Sequence, residues 1–105
     1  MRSLIGLSFA AFSLAAVAAQ AQAPTDEQRA RCANEDPKLN LSDSEVIAAC
    51  TLIIELKPKD VEDYALAYSN RAVAEQSLGL HDRANADIGE AHRIDPDDFH
   101  ATSLD

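Results

Sequence analysis

The chain is short of positive charge, with nine lysines and arginines against 18 aspartates and glutamates in 105 residues. That balance argues against DNA, RNA and anionic lipid as partners, because an acidic surface is repelled by each of them. Cysteine is scarce too. Its two copies, Cys32 and Cys50, make no CxxC motif and no Cys/His spacing of the kind that holds zinc, which leaves redox catalysis and structural zinc without residues to carry them. Also absent are a nucleophile elbow, a phosphate-binding loop and an HExxH helix, so the chain is read as a non-enzyme that needs no cofactor. No stretch shows the alternation of a strand. No apolar run reaches the ~20 residues that a membrane-spanning helix requires.

The longest apolar run, Leu4 to Ala19, follows a basic Arg2 and precedes "QAQAP" rather than a basic flank. This is the arrangement of a secretory signal, with membrane anchoring disfavoured. Ala-x-Ala sites end at Ala21 and Ala23, but Pro24 would directly follow the second scissile bond, with no N–H and a fixed φ. Cleavage after Ala21 is therefore expected, with residues 1–21 as the signal peptide. The remaining chain, 22–105, is a periplasmic or secreted domain of 84 residues and formal charge −10, a size at which a hydrophobic core alone is marginal. In an oxidising compartment Cys32 and Cys50 are expected to pair. The alternative is two buried thiols acting as small hydrophobes.

Four helices are expected. "TDEQ", with Thr25 and Gln28 three residues apart, is a capping-box pattern that starts a short helix to about Asn34, before Asp36-Pro37. "SDSE" repeats it with Ser42 and Glu45. The apolar set Val46, Ile47, Cys50, Ile53 and Ile54 then follows at three- and four-residue steps until Pro58 removes helical geometry from Lys57. A third helix begins near Asp60 to Asp63 and runs to Leu78, with Gly79 as its left-handed terminator. Asp82 is the expected cap of a fourth, which carries Ala84, Ile88, Ala91 and Ile94 on one side and stops before Pro96. Short connections make the class all-α with antiparallel helix pairs.

"AYSNRAVAEQSLGLHDRANADIGEAHRIDP", Ala67 to Pro96, resembles one complete tetratricopeptide repeat without a gap. Tyr68 matches the early aromatic position, Ala72 the small position where two helices touch, and Gly79 the turn. Ala84, Ala91 and Pro96 match small and proline positions of the second helix, and Ile88 packs inward. "SEVIAACTLIIELKP", ending at Pro58, resembles the second helix of a preceding repeat. Pro96 lies 38 residues after Pro58 against a family period of about 34, which places the extra residues in the linker around "KDVEDY". The resemblance implies a short right-handed α-solenoid: a degenerate first repeat over 22–58, a complete repeat over 59–96, and a polar tail over 97–105. The stunted first helix gives the cysteines a physical role, since a bridge between positions 18 apart would tie it to the second helix for ~3 kcal/mol. Glu75, Gln76, His81, Asn85 and His92 depart from the aromatic or aliphatic residues usual at their places, which implies looser packing.

Tetratricopeptide families typically bind a peptide along a face made by the first helix of each pair. Carried over by position, that face presents Leu66, Ser69, Asn70, Val73, Gln76 and Ser77. The Asn70 amide can both donate to and accept from a peptide backbone; the plain alternative is a solvated polar residue on a surface with no groove. The expected partner is a protein or peptide of neutral or basic character. The rival is a structural domain that forms a homo-oligomer through Val46, Ile53 and Ile88, because so short an array has no further repeats to cover its ends. His92, Asp95, Asp97 and His100 crowd the last turn, but loop acids near histidine on an acidic surface are ordinarily solvated, and no metal site is assigned.

Overall fold

A computed structural model describes residues 22–97; the expected signal peptide and all but the first residue of the polar tail, with His100, lie outside this range. Within it the chain forms four α-helices and no strand: α1 Asp26–Ala33, α2 Asp43–Leu56, α3 Val61–Ser77 and α4 His81–Ile94.

The ends of these helices follow from local chemistry. Thr25 Oγ1 accepts from the Gln28 N–H at 3.0 Å while Gln28 Oε1 accepts from the Thr25 N–H at 2.9 Å. Ser42 and Glu45 make the same reciprocal pair at 3.2 and 2.9 Å, so each box satisfies two donors that a helix start leaves free. Asp60 caps α3 through the N–H groups of Glu62 and Asp63. At the other ends, Asn34 and Lys57 take left-handed backbone with φ of 51°, and at Lys57 the following Pro58 bars the chain from continuing the helix. α3 ends in a Schellman turn, with Leu80 N–H donating to Glu75 C=O at 2.8 Å and Gly79 N–H to Gln76 C=O at 3.0 Å. The Gly79 φ of +80° is what selects glycine, since an added Cβ would meet no atom within 4 Å.

Asp82 is a correction. The helix begins at His81 with Leu80 as its N-cap and no side-chain cap bond. Leu80 already closes the Schellman turn, so the chain enters α4 before Asp82 is reached. That leaves Asp82 in the first turn, where its charge favours the helix dipole.

Helix α3 is the middle of the domain. It packs against α2 and α4, which do not touch each other, while α1 lies on α2 and along the edge of α3. Arg29 meets Asp63 and Cys32 meets Asn70, so α1 and α3 run in the same direction. Thr51 meets Arg71 and Arg71 meets Asp87, and with only residues 57–60 joining α2 to α3 and residues 78–80 joining α3 to α4, packed neighbours on such short connections run antiparallel, so α2 and α4 run opposite to α3. One cluster joins Cys32, Val46, Ala49, Cys50, Ile53, Ala67 and Ala74, with Leu41, Ile47 and Ile54 against it. A second is Ala65 and Ala91 beneath Tyr68 and Ile94.

The contact between α3 and α4 rests on small residues, with Ala65, Ala72, Ala84 and Ala91 all at 0% exposure. Such a seam lets two backbones approach closely but buries little apolar area per residue. Replacing Ala72 with Leu is expected to cost ~1–3 kcal/mol by overpacking, read as a lower midpoint in urea unfolding. A neutral outcome would mean that the seam has room that full burial of Ala72 denies.

Candidate functional site

Among the described residues, two depressions lie along the second half of α3, apart from a third at its start beside Asp60 and Asp63. The first is a hollow of about 200 Å³ where the C-terminal end of α1 and the start of α2 approach the second half of α3, lined by Cys32, Asn34, Asp43, Val46, Asn70 and Val73 among others. Its α1 side is pinned by the Cys32–Cys50 disulfide, whose Cα atoms are 4.7 Å apart. The Asn34 amide braces the loop beside it, facing the N–H and C=O of Leu41 at 3.4 Å each. Asn70 is half-buried, with its Nδ2 4.0 Å from Cys32 Sγ, too long to use up its hydrogen-bonding capacity. Val73 is 46% exposed.

Of the strip expected from the sequence, the hollow therefore brings together Asn70 and Val73. Gln76 and Ser77 are exposed but lie outside it, and Gln76 Oε1 pairs with His81 Nδ1 at 3.1 Å. Ser69 is a second correction: it is 1% exposed and gives its hydroxyl to the Leu66 carbonyl. Ser69 sits four residues after Ala65 and three before Ala72, so helical geometry places it within the buried alanine stripe rather than on the strip.

The second depression was not anticipated. It is an open pocket of about 350 Å³ lined by Ile47 and Thr51 of α2, Arg71 and Glu75 of α3, and Arg83, Ala86 and Asp87 of α4. The Arg71 guanidinium grips Asp87 bidentately at 2.7 and 2.8 Å and reaches the Thr51 hydroxyl at 3.1 Å. Thr51 in turn donates to the Ile47 carbonyl at 2.7 Å, and Arg71 stands over the Tyr68 ring, 5.4 Å from its centroid. One arginine thus links all three helices. Hydrogen bonding to Asp87 raises the Arg71 pKa further, so its charge is permanent.

Glu75 is the odd member. Its side chain is 5% exposed, with Oε2 3.8 Å from Arg71 Nε, while Oε1 is buried and has no hydrogen-bond partner among the described residues. Burial, and after it the neighbouring Asp87, push its pKa up to about 7, with Arg71 and Arg83 pulling the other way. The sequence reading took Glu75 as a sign of loose packing. The available signal was the four-residue spacing of Arg71 and Glu75, which places both on one helix face.

Among the described residues no group of three or more His, Cys, Asp and Glu is placed to hold a metal ion, and His92, Asp95 and Asp97 form no such group. Of the positions matched to the repeat, Ala72, Ala84 and Ala91 are fully buried, Tyr68 and Ile88 are half-buried, and Pro96 is exposed. Comparison with known proteins finds no matching family model, curated protein or solved structure.

Proposed function

We propose that the chain is a small exported interaction module of tetratricopeptide-repeat type, without catalytic activity, that holds a neutral or basic peptide segment of a partner protein in the hollow beside Asn70. The observation that carries this reading is the placement of a half-buried Asn70 amide and an exposed Val73 at the wall of a hollow braced by a disulfide. An amide bonds a peptide backbone through both its donor and its acceptor, and it does so without the cost of desolvating a charge. Asp43 on the rim and the acidic excess of the whole chain favour a neutral or basic segment and speed its approach at low salt. The shared direction of α1 and α3, with α2 and α4 running the other way, supports the repeat arrangement. A disulfide is consistent with an oxidising compartment.

Against the competing reading, a homo-oligomer joined through Val46, Ile53 and Ile88, stands the burial of Val46 and Ile53, 6% and 3% exposed within the single chain, which leaves the half-buried Ile88 of that set to offer surface.

In the test, a partner captured from an exported fraction is titrated against variants. Asn70→Ala combined with Val73→Ala is expected to weaken it at least tenfold, ~1.4 kcal/mol, with helicity unchanged. Gln76→Ala, outside the hollow, should leave affinity as it was. Undiminished binding by the double variant would remove the hollow as the docking site.

A further inference from the structure

Beneath the pocket between α2 and α4 lie two carboxyl groups and one buried cation to serve them. Arg71 spends its guanidinium on Asp87, at 2.7 and 2.8 Å, and on the Thr51 hydroxyl. Glu75 receives only a longer approach, 3.8 Å from Arg71 Nε to Oε2. Its side chain and that of Asp87 are 5% and 8% exposed, so water does little to screen a second negative charge. The two carboxyl groups nevertheless lie within hydrogen-bonding reach of each other, and Glu75 Oε1 is buried with no partner among the described residues. Two carboxyl groups bond each other only when one of them carries a proton. We propose that the contact between α3 and α4 is a proton-operated latch, in which a proton held between Glu75 and Asp87 fastens α4 to α3 and its release to solvent loosens α4.

Geometry assigns the proton to Glu75, because the bidentate arginine belongs to Asp87. With that proton in place the buried set of Arg71, Glu75 and Asp87 is neutral. Without it the set carries one uncompensated negative charge. The groups that face Glu75 are Arg71 on its own helix and Asp87 and Arg83 on α4. Arg83 is exposed and offsets that charge only from the rim. From α2 the lining takes the neutral Ile47 and Thr51, and α1 contributes no residue to it.

Burial, and then Asp87, raise the Glu75 pKa from an ordinary 4.5 to about 7. Between those two values the folded chain holds a proton that the unfolded chain has released, so stability falls as pH rises through the window and levels off above it. From about pH 6 to about pH 8 this one group lowers the ratio of folded to unfolded chain about tenfold. The loss falls on α4, because the larger core cluster is built from α1, α2, α3 and the loop residue Leu41, with nothing from α4. What else holds α4 is the alanine seam and the small patch of Ala65 and Ala91 with Tyr68 and Ile94, which bury little apolar area.

The experiment follows the Glu75 carboxyl carbon of the oxidised protein by NMR from acid to mildly alkaline pH, together with amide hydrogen exchange over the same range. A titration midpoint near 7 is expected for Glu75. Protection of the α4 amides, corrected for intrinsic exchange, should fall about tenfold relative to α2 between about pH 6 and about pH 8. In Glu75→Gln the amide donates to Asp87 without titrating, so α4 protection should stay level across that interval. Should this variant fail to fold, the carbon titration and the exchange of the unaltered protein decide the matter by themselves. A Glu75 midpoint near 4.5, α4 protection that does not change with pH or changes equally in α2, or the same fall in a folded Glu75→Gln would overturn the latch.

Discussion

Removal of the Cys32–Cys50 bond, by replacing both residues with alanine, is expected to lower stability by ~3 kcal/mol, which for a domain of this size is a fall in Tm of roughly 12–24 °C. The bond closes a loop across a sequence separation of 18. Without it the unfolded chain regains that loop entropy, while the folded chain has little with which to hold its first helix. α1 is eight residues long and buries only Cys32, well below the ~12–15 residues at which an isolated helix becomes even marginal in water. Its other anchor is the Arg29–Asp63 pair at 3.0 and 3.1 Å, and with Arg29 41% exposed such a pair contributes little. The core offers no reserve either, since Cys50 and Ser69 are its largest fully buried side chains. Hydrogen exchange should therefore show α1 losing protection before the contact between α3 and α4 does. A double variant within about 1 kcal/mol of the parent would show that packing alone holds α1.

Arg71→Ala is expected to be comparably damaging, at ~3–5 kcal/mol. It leaves the Asp87 carboxylate, 8% exposed, and the Glu75 carboxylate, 5% exposed, side by side without their shared cation. It also removes the donor to Thr51 and the cation above the Tyr68 ring, so all three helices lose a contact at once. A buried ion pair is costly to assemble and more costly to break. The triple change Arg71→Met, Glu75→Leu and Asp87→Leu should accordingly cost less than Arg71→Ala alone. Urea unfolding of the two variants decides the matter: a triple variant less stable than the single one would mean that the charges stabilise the seam beyond their desolvation cost.

Helix starts at Thr25, Ser42 and Asp60, and the stops at Lys57 and Gly79, were legible in the sequence because each depends on residues within four positions of one another. A capping oxygen reaches an N–H two or three residues on, a proline acts on the residue before it, and glycine admits φ of +80° wherever the chain goes next. The disulfide was legible for a different reason: with two cysteines there is one pairing. Asp82 failed as a cap because Leu80 serves the end of α3 and the start of α4 together, and that sharing depends on how tightly the two helices turn back on each other.

What only the tertiary structure decided concerns the sides of α3. Heptad-like spacing shows that Ala65, Ser69 and Ala72 share a stripe, and that Arg71 and Glu75 share another, but not which stripe a neighbour covers. Packing by α4 turned Ser69 from a candidate contact into a buried residue. It also set Asp87 against Arg71, 16 positions away in the chain, and left Glu75 Oε1 buried beside them without a donor. Local chemistry is short-ranged and so is written in neighbouring residues, whereas burial, and with it the charge state of Glu75, depends on atoms that folding alone brings near.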